Sequence, residues 1–189
     1  MIGPVTLPDL SWKPTTACGS RNGHKVERVI LHRWGVTFSD MHAEALSYQG
    51  VINEFLNPNN NASAHFVYPG SAVKDTCTQM VSYAEKAWTE AAFNETSVEI
   101  ECADAIWLGH DPYGLHQLAR ITAFLLHKYN LPARHAVNNG FCRHGDLGYA
   151  GGGHLECPVL AGAPIFNAFN ALVRHEAAKG GFRLVWGVE

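Results

Sequence analysis

A chain of 189 residues with 47% hydrophobic and 16% charged residues has the balance of an ordinary globule with one buried core, which excludes a disordered or fibrous polymer. Its formal charge of −3 offers no general electrostatic reason to bind nucleic acid, because that affinity rests on neutralising phosphates with Lys and Arg. No apolar run approaches the ~20 residues of a membrane-spanning helix, and the first residues lack the charged and apolar regions of a secretory signal, so neither membrane insertion nor export is expected.

Residues 1–25, rich in Pro, Thr and Gly, read as a leader laid over the domain, with Asn22-Gly23 as a turn signal of the hairpin type. In VERVILHRWG the succession Val29, Ile30, Leu31 is the pattern of a strand covered on both faces, and Gly35 closes it. His32 therefore falls at the C-terminal end of a central strand. Ser39 or Asp40 caps a helix in which Met41, Ala45, Tyr48, Ile52 and Phe55 recur at steps of three and four until Asn57-Pro58 ends it. Beyond the polar NPNNNASA, the segments HFVYPG and TSVEIECA read as short strands. The second puts Val98 and Ile100 on one face and Glu99 and Glu101 on the other, so Glu101 lies either in solvent or in a site.

Asp111-Pro112 starts a helix with Leu115, Leu118, Thr122, Leu125 and Tyr129 on one stripe, His127 and Lys128 in its last turn, and Pro132 beyond its end. Pro164 starts a last helix with Ile165, Phe166, Phe169, Leu172 and Val173 inward, stopped by Gly180-Gly181. The tail GFRLVWGVE reads as an edge strand or the root of a neighbouring domain. Strands alternating with helices predict a single α/β domain, a central mixed β-sheet flanked by helices, over residues 26–176, with 177–189 as a C-terminal tail.

The chemistry concentrates in GFCRHGDLGYAGGGHLECPV, residues 140–159. Zinc takes imidazole and thiolate ligands, in closed four-ligand structural sites or in open three-ligand catalytic ones. Cys142, His144, His154 and Cys157 could close a knuckle within the loop. Alternatively His144 and Cys157, brought together by the turns that Gly151, Gly152 and Gly153 allow, could join His32 and leave a position for water. The five cysteines, at 18, 77, 102, 142 and 157, are an odd, scattered set without the look of a disulfide framework, so at least one is free or a ligand.

VILHRWG, ASAHFVY, AEKAWTEAAFNETSVEIE and RHGDLGYAGGGHLECP occur in the order and approximate spacing of the zinc-dependent N-acetylmuramoyl-L-alanine amidases. The chain resembles that family over roughly residues 26 to 175. The family includes amidase-type bacteriophage lysozymes, bacterial wall-recycling amidases and animal peptidoglycan-recognition proteins. The resemblance implies Zn²⁺ held by His32, His144 and Cys157, with Glu101 as the acid that moves the proton in amide hydrolysis. Glu99, where the family usually has glycine, is the competing carboxylate. Two polar helpers of the family are replaced, by Ala64 before His65 and by Leu155 two residues before Cys157; His154 is the candidate for hydrogen-bonding the oxyanion. Thr89 stands where many relatives have histidine. Trp34 and Trp88 are expected to border the cleft, and Asn94 to meet the peptide.

The implied activity is cleavage of the amide between N-acetylmuramic acid and the L-alanine of the stem peptide. The implied partner is bacterial peptidoglycan and the implied state a monomer, most simply a phage endolysin that accumulates in the host cytoplasm and reaches the wall through a holin pore. A cytoplasmic muropeptide-recycling amidase and a non-catalytic peptidoglycan-binding module are the alternatives.

Overall fold

In chain order the elements are β1 (Asp9–Trp12), β2 (Cys18–Ser20), β3 (Arg28–Arg33), α1 (Met41–Leu56), β4 (Phe66–Tyr68), β5 (Thr76–Gln79), β6 (Glu85–Ala87), β7 (Ser97–Cys102), α2 (Asp104–Trp107), α3 (Pro112–Lys128), β8 (Gly140–Arg143) and α4 (Ala163–Lys179). Short 3-10 segments lie at Gly70–Val73, Ala91–Thr96 and His144–Gly151. The computed structural model describes residues 7–34, 41–158, 163–180 and 186–187.

Six strands form one sheet in the order β1-β5-β4-β7-β3-β8. β3 is parallel to both β7 and β8, and β7 to β4, whereas β4 and β5 are antiparallel, so the sheet is mixed as expected. The apolar run of β3 is buried on both faces because β3 lies inside the sheet. Alternation then divides its residues between two layers. Val29 and Leu31, with Val98 and Ile100 of β7 and Phe141 of β8, share one core with Leu118, Phe124 and Leu125 of α3 and Phe169 and Val173 of α4.

α3 forms where the sequence places its signals: Asp111 Oδ1 accepts from the Gly114 N–H at 2.8 Å, Pro112 occupies the first turn, and the Leu115–Leu118–Leu125 stripe faces inward. Each fully buried large apolar side chain of this layer stabilises by about 1.5–3 kcal/mol against its exposed state, as an upper bound.

The opposite layer is divided. Tyr48, Ile52 and Phe55 of α1 pack on Ala64, Val67 and Met80, while Ile30 and Cys142 pack with Leu147. In register, Glu101 lies beside Val67 on β4, and Glu99 beside Ile30 on β3. β7 thus carries its two acids along the seam between the apolar clusters.

Within the segment read as a leader, residues 9–12 and 18–20 form strands. β1 extends the sheet edge parallel to β5, and β2 pairs antiparallel with β6. Asn22 and Gly23 both have positive φ, 51° and 80°, as a type I′ turn requires. At the other end, Trp186 stacks on Phe66 with centroids 5.2 Å apart and donates its Nε1–H to the Pro8 carbonyl at 2.9 Å. Its own carbonyl accepts from Tyr83 Oη at 2.6 Å. The expected cap at Ser39 or Asp40, Gly35, and most of the tail expected as an edge strand lie outside the described residues. All five cysteines are free. No helix among the described residues is long and apolar enough to cross a membrane.

Candidate metal centre

His32 sits near the end of β3, 1% exposed. β8 pairs with β3 from Arg28↔Gly140 to Leu31↔Arg143, so the residue after β8, His144, emerges beside His32, with ring centroids 4.5 Å apart. The turn that begins at His144 is locked by Asp146. Its carboxylate accepts from the Arg143 N–H at 2.8 Å, from Arg143 Nη2 at 2.7 Å and from His135 Nε2 at 2.8 Å. Burial pushes the Asp146 carboxyl up, but these bonds hold it below its ordinary value.

The glycine-rich return then brings Cys157 back. The Gly145 N–H donates to the Cys157 carbonyl at 2.6 Å, and a Cβ on Gly145 would stand 2.5 Å from the Leu155 carbonyl oxygen, so only glycine allows this approach. Donor atoms of His32, His144 and Cys157 consequently all lie within 4.8 Å of one another. No closed knuckle forms: Cys142 is buried with Ile30 and Leu147, and this triad is the metal-competent group found among the described residues.

The donors fit a zinc ion. The second nitrogen of each histidine is occupied elsewhere, His144 Nε2 by the Gly151 carbonyl at 2.7 Å and His32 Nε2 by the Glu90 carboxyl group. Nδ1 of each ring is therefore the nitrogen available to a metal. His32 Nδ1 is 3.9 Å from Cys157 Sγ, close to the roughly 3.3–3.8 Å that separates ligand atoms around tetrahedral zinc. Burial and neighbouring histidines depress the His32 pKa, and burial depresses that of His144, so both rings are neutral, as ligands must be. Burial and Glu101 push the Cys157 thiol up to about 12, so a thiolate there needs a cation beside it.

Glu101 Oε1 is 3.9 Å from His32 Nδ1, and its Oε2 is buried without a hydrogen-bond partner. Burial, with Asp104, pushes its carboxyl up to about 8 although Arg33 opposes the shift. Glu101 lines a cleft of about 250 Å³ with the three donors, Trp88 and His154. Glu99 is fully buried beneath it. There it engages His65 and the Ser97 hydroxyl, which together outweigh burial and hold its carboxyl low.

The other expected residues divide. His154 is exposed, its ring 4.9 Å from that of His144. Leu155 is exposed at 46%. Trp34 lines a separate groove with Ser47, Gly50, Val51 and Glu54 rather than the cleft of the three donors. Asn94 reaches inward, its Oδ1 accepting from the N–H groups of Thr89 at 3.1 Å and Glu90 at 2.6 Å. The residue that sequence reasoning missed is Glu90, fully buried on His32. Its signal, an acid in the polar run EKAWTE, is that of any surface loop.

A sequence model of the family described as N-acetylmuramoyl-L-alanine amidase matches residues 22–159. The chain belongs to this amidase family. It is therefore a hydrolytic, amidase-type enzyme with a candidate His/His/Cys metal site. The amidase is similar in structure to the Staphylococcus aureus hydrolase AmiA, solved in complex with its ligand, with a TM-score of 0.67 and 17% identity over 96% of this chain and 90% of that one. It is also similar to a mutant endolysin from Bacillus subtilis, with a TM-score of 0.58 and 17% identity over 88% and 99%. For the N-acetylmuramoyl-L-alanine amidase LysC from Clostridium intestinale the TM-score is 0.53 and the identity 14%, over 87% and 96%. At such identities the likeness concerns the fold. A comparison with curated proteins returned no match.

Proposed function

We propose that this amidase hydrolyses the bond between the lactyl group of N-acetylmuramic acid and the L-alanine of the stem peptide, with Zn²⁺ held by His32, His144 and Cys157. The observation that carries the reading is the convergence of three metal-competent donors and one buried carboxylate, Glu101, on a single cleft. Bound zinc would supply a Lewis acid that polarises the scissile carbonyl and makes water nucleophilic near neutral pH. A cation held by the three donors would favour the ionised form of Glu101 against burial; the carboxylate then accepts the proton that the attacking water loses and returns it to the departing amine, its buried, unpartnered Oε2 being free for that bond. His154, at the rim beside His144, hydrogen-bonds the oxygen on which charge develops. Trp88 offers the flat face of its ring to sugar or peptide.

The biological setting we infer is host lysis by a phage endolysin that accumulates in the cytoplasm and acts on the wall after passage through a holin pore. The likeness to a mutant endolysin from Bacillus subtilis supports it. A complete donor set favours catalysis over recognition alone. The test is to measure zinc content and the release of L-alanine amino groups from intact cells, purified sacculi and soluble muropeptides. Amino groups released from sacculi by a zinc-loaded protein support the reading. Release from muropeptides alone would make it a recycling enzyme, and binding to walls without release a recognition module.

A further inference from the structure

We propose that Arg21, His65, Glu99, Ser97 and Glu90 form one buried support that fixes the orientation of His32, which makes Arg21, His65 and Glu99 positioning residues although none of them bonds to a metal-ligating atom. The proposal rests on the reading of His32 as a ligand.

These side chains come from segments far apart in the chain and meet where water is excluded. His65, Glu90, Ser97 and Glu99 are fully buried, and Arg21 is 7% exposed. Buried charged groups are costly unless each is paired and hydrogen-bonded, and here each is bonded to the next. Arg21 is anchored on backbone, its Nε donating to the Tyr83 carbonyl at 3.2 Å and its Nη1 to the carbonyls of Glu95 at 3.1 Å and Ser97 at 2.8 Å. Its remaining nitrogen, Nη2, lies 2.7 Å from His65 Nε2. His65 Nε2 thus lies between Arg21 Nη2, which can only donate, and the Glu85 carbonyl oxygen at 3.0 Å, which can only accept, while its Nδ1 bonds with the Glu99 carboxylate.

Ser97 Oγ stands between the two carboxyl groups, bonded to Glu99 and 3.4 Å from Glu90 Oε2. Glu90 holds His32 Nε2, and its own backbone is pinned by Asn94. The effect at the far end is chemical. A Glu90 oxygen that accepts from Nε2–H selects the tautomer whose lone pair is on Nδ1 and fixes the plane of the ring, even though burial and the neighbouring Glu99 push the Glu90 carboxyl well above its ordinary value. Glu99 thereby has a task separate from that of Glu101, one position further along the same face of β7.

Two measurements test this without substrate. In metal-free protein labelled with ¹⁵N-histidine, the His32 shifts should show a protonated Nε2 and a bare Nδ1; the opposite tautomer, or rapid averaging of the two, overturns the proposal. In competition with a chromophoric chelator, Glu90→Ala should weaken zinc binding by about 10- to 100-fold. Glu90→Gln, which keeps an acceptor for Nε2–H, should recover most of that loss. Glu99→Gln and His65→Gln should weaken binding several-fold and shift the visible bands of the Co²⁺ form. Zinc affinity and Co²⁺ spectra equal to wild type in folded Glu99→Gln and His65→Gln proteins would overturn the proposal alone. Failure of the wild-type protein to bind zinc would overturn the functional reading first. If the variants do not fold, the tautomer measurement on the wild type decides.

Discussion

The two faces of the sheet use the same strands for opposite purposes. Toward α3 and α4, Val29, Leu31, Val98, Ile100 and Phe141 join a continuous apolar core. On the other face the intervening residues include His32, Glu99 and Glu101, and the apolar packing is broken into two small clusters. A period of two lets one face supply stability while the other holds groups that on their own would destabilise a fold. Buried polarity of this kind is tolerated because the face behind it is so thoroughly packed.

The comparison is broken most severely at the donors. His32→Ala or Cys157→Ala should abolish zinc content and lower amidase activity at least ~10³-fold, about 4 kcal/mol of transition-state stabilisation, while the melting temperature of the α3–α4 core moves little. Metal analysis beside a wall-release assay checks both halves, and full activity in a zinc-free variant would sink the mechanism. Glu101→Gln should keep zinc and lose ~10²- to 10⁴-fold in turnover. If at saturating zinc Glu99→Gln behaves this way instead, the two acids have been assigned in the wrong order.

Across the sheet, Phe124→Ala should cost about 3–5 kcal/mol of stability in denaturant titrations and leave zinc affinity unchanged where the protein is folded.

Glu176 of α4 brings charge to the helical side. Its buried carboxylate meets Lys179 Nζ at 2.7 Å, His116 Nε2 at 2.8 Å and Arg120 Nε at 3.4 Å. Burial pushes its pKa up, but the bonds from Lys179 and His116 more than offset this and hold it below 4.5. A folded value below the unfolded one means the contribution is fully present above pH ~4.5 and is lost as pH falls through the folded value. Glu176→Gln should remove about 2 kcal/mol at neutral pH, and the gap between variant and wild type should close on acidification. The smallest effect is expected at the rim, where His154→Ala should slow turnover about 10-fold with zinc retained, because an exposed donor in water adds less than a buried one.

Much of this was legible in the sequence, for identifiable reasons. β3 and α3 were readable because an unbroken apolar triplet and an Asp-Pro cap with an inward stripe are local signals. α1 ends at Leu56 immediately before Asn57-Pro58, as the breaker requires. β5 and β8, with the sequences TCTQ and GFCR, were missed because short segments with buried polar residues carry no alternation to read. β1 was missed because a Pro-rich context masks a strand that exists only by pairing with β5. The place of His32 at a strand end followed from the apolar run, and its assignment as a ligand, with those of His144 and Cys157, from the family resemblance. Glu90 could not be found that way, because its partner is 58 positions distant and nothing local distinguishes a buried acid from a solvated one. Asn94, expected to meet the peptide, turns inward for a related reason: it is the residue that folds the loop carrying Glu90.

Trp186 has a mechanical consequence. Its indole bridges the two ends of the chain, hydrogen-bonded to Pro8 and stacked on Phe66. β1 starts at Asp9, directly after Pro8, and runs parallel to β5 through four paired positions. A force pulling the two ends apart would be borne first by the indole and then by shear along that ladder, whose bonds must rupture together. The domain should therefore resist stretching more than a sheet peeled open from one end, and anything joined to either end would pull against this clasp.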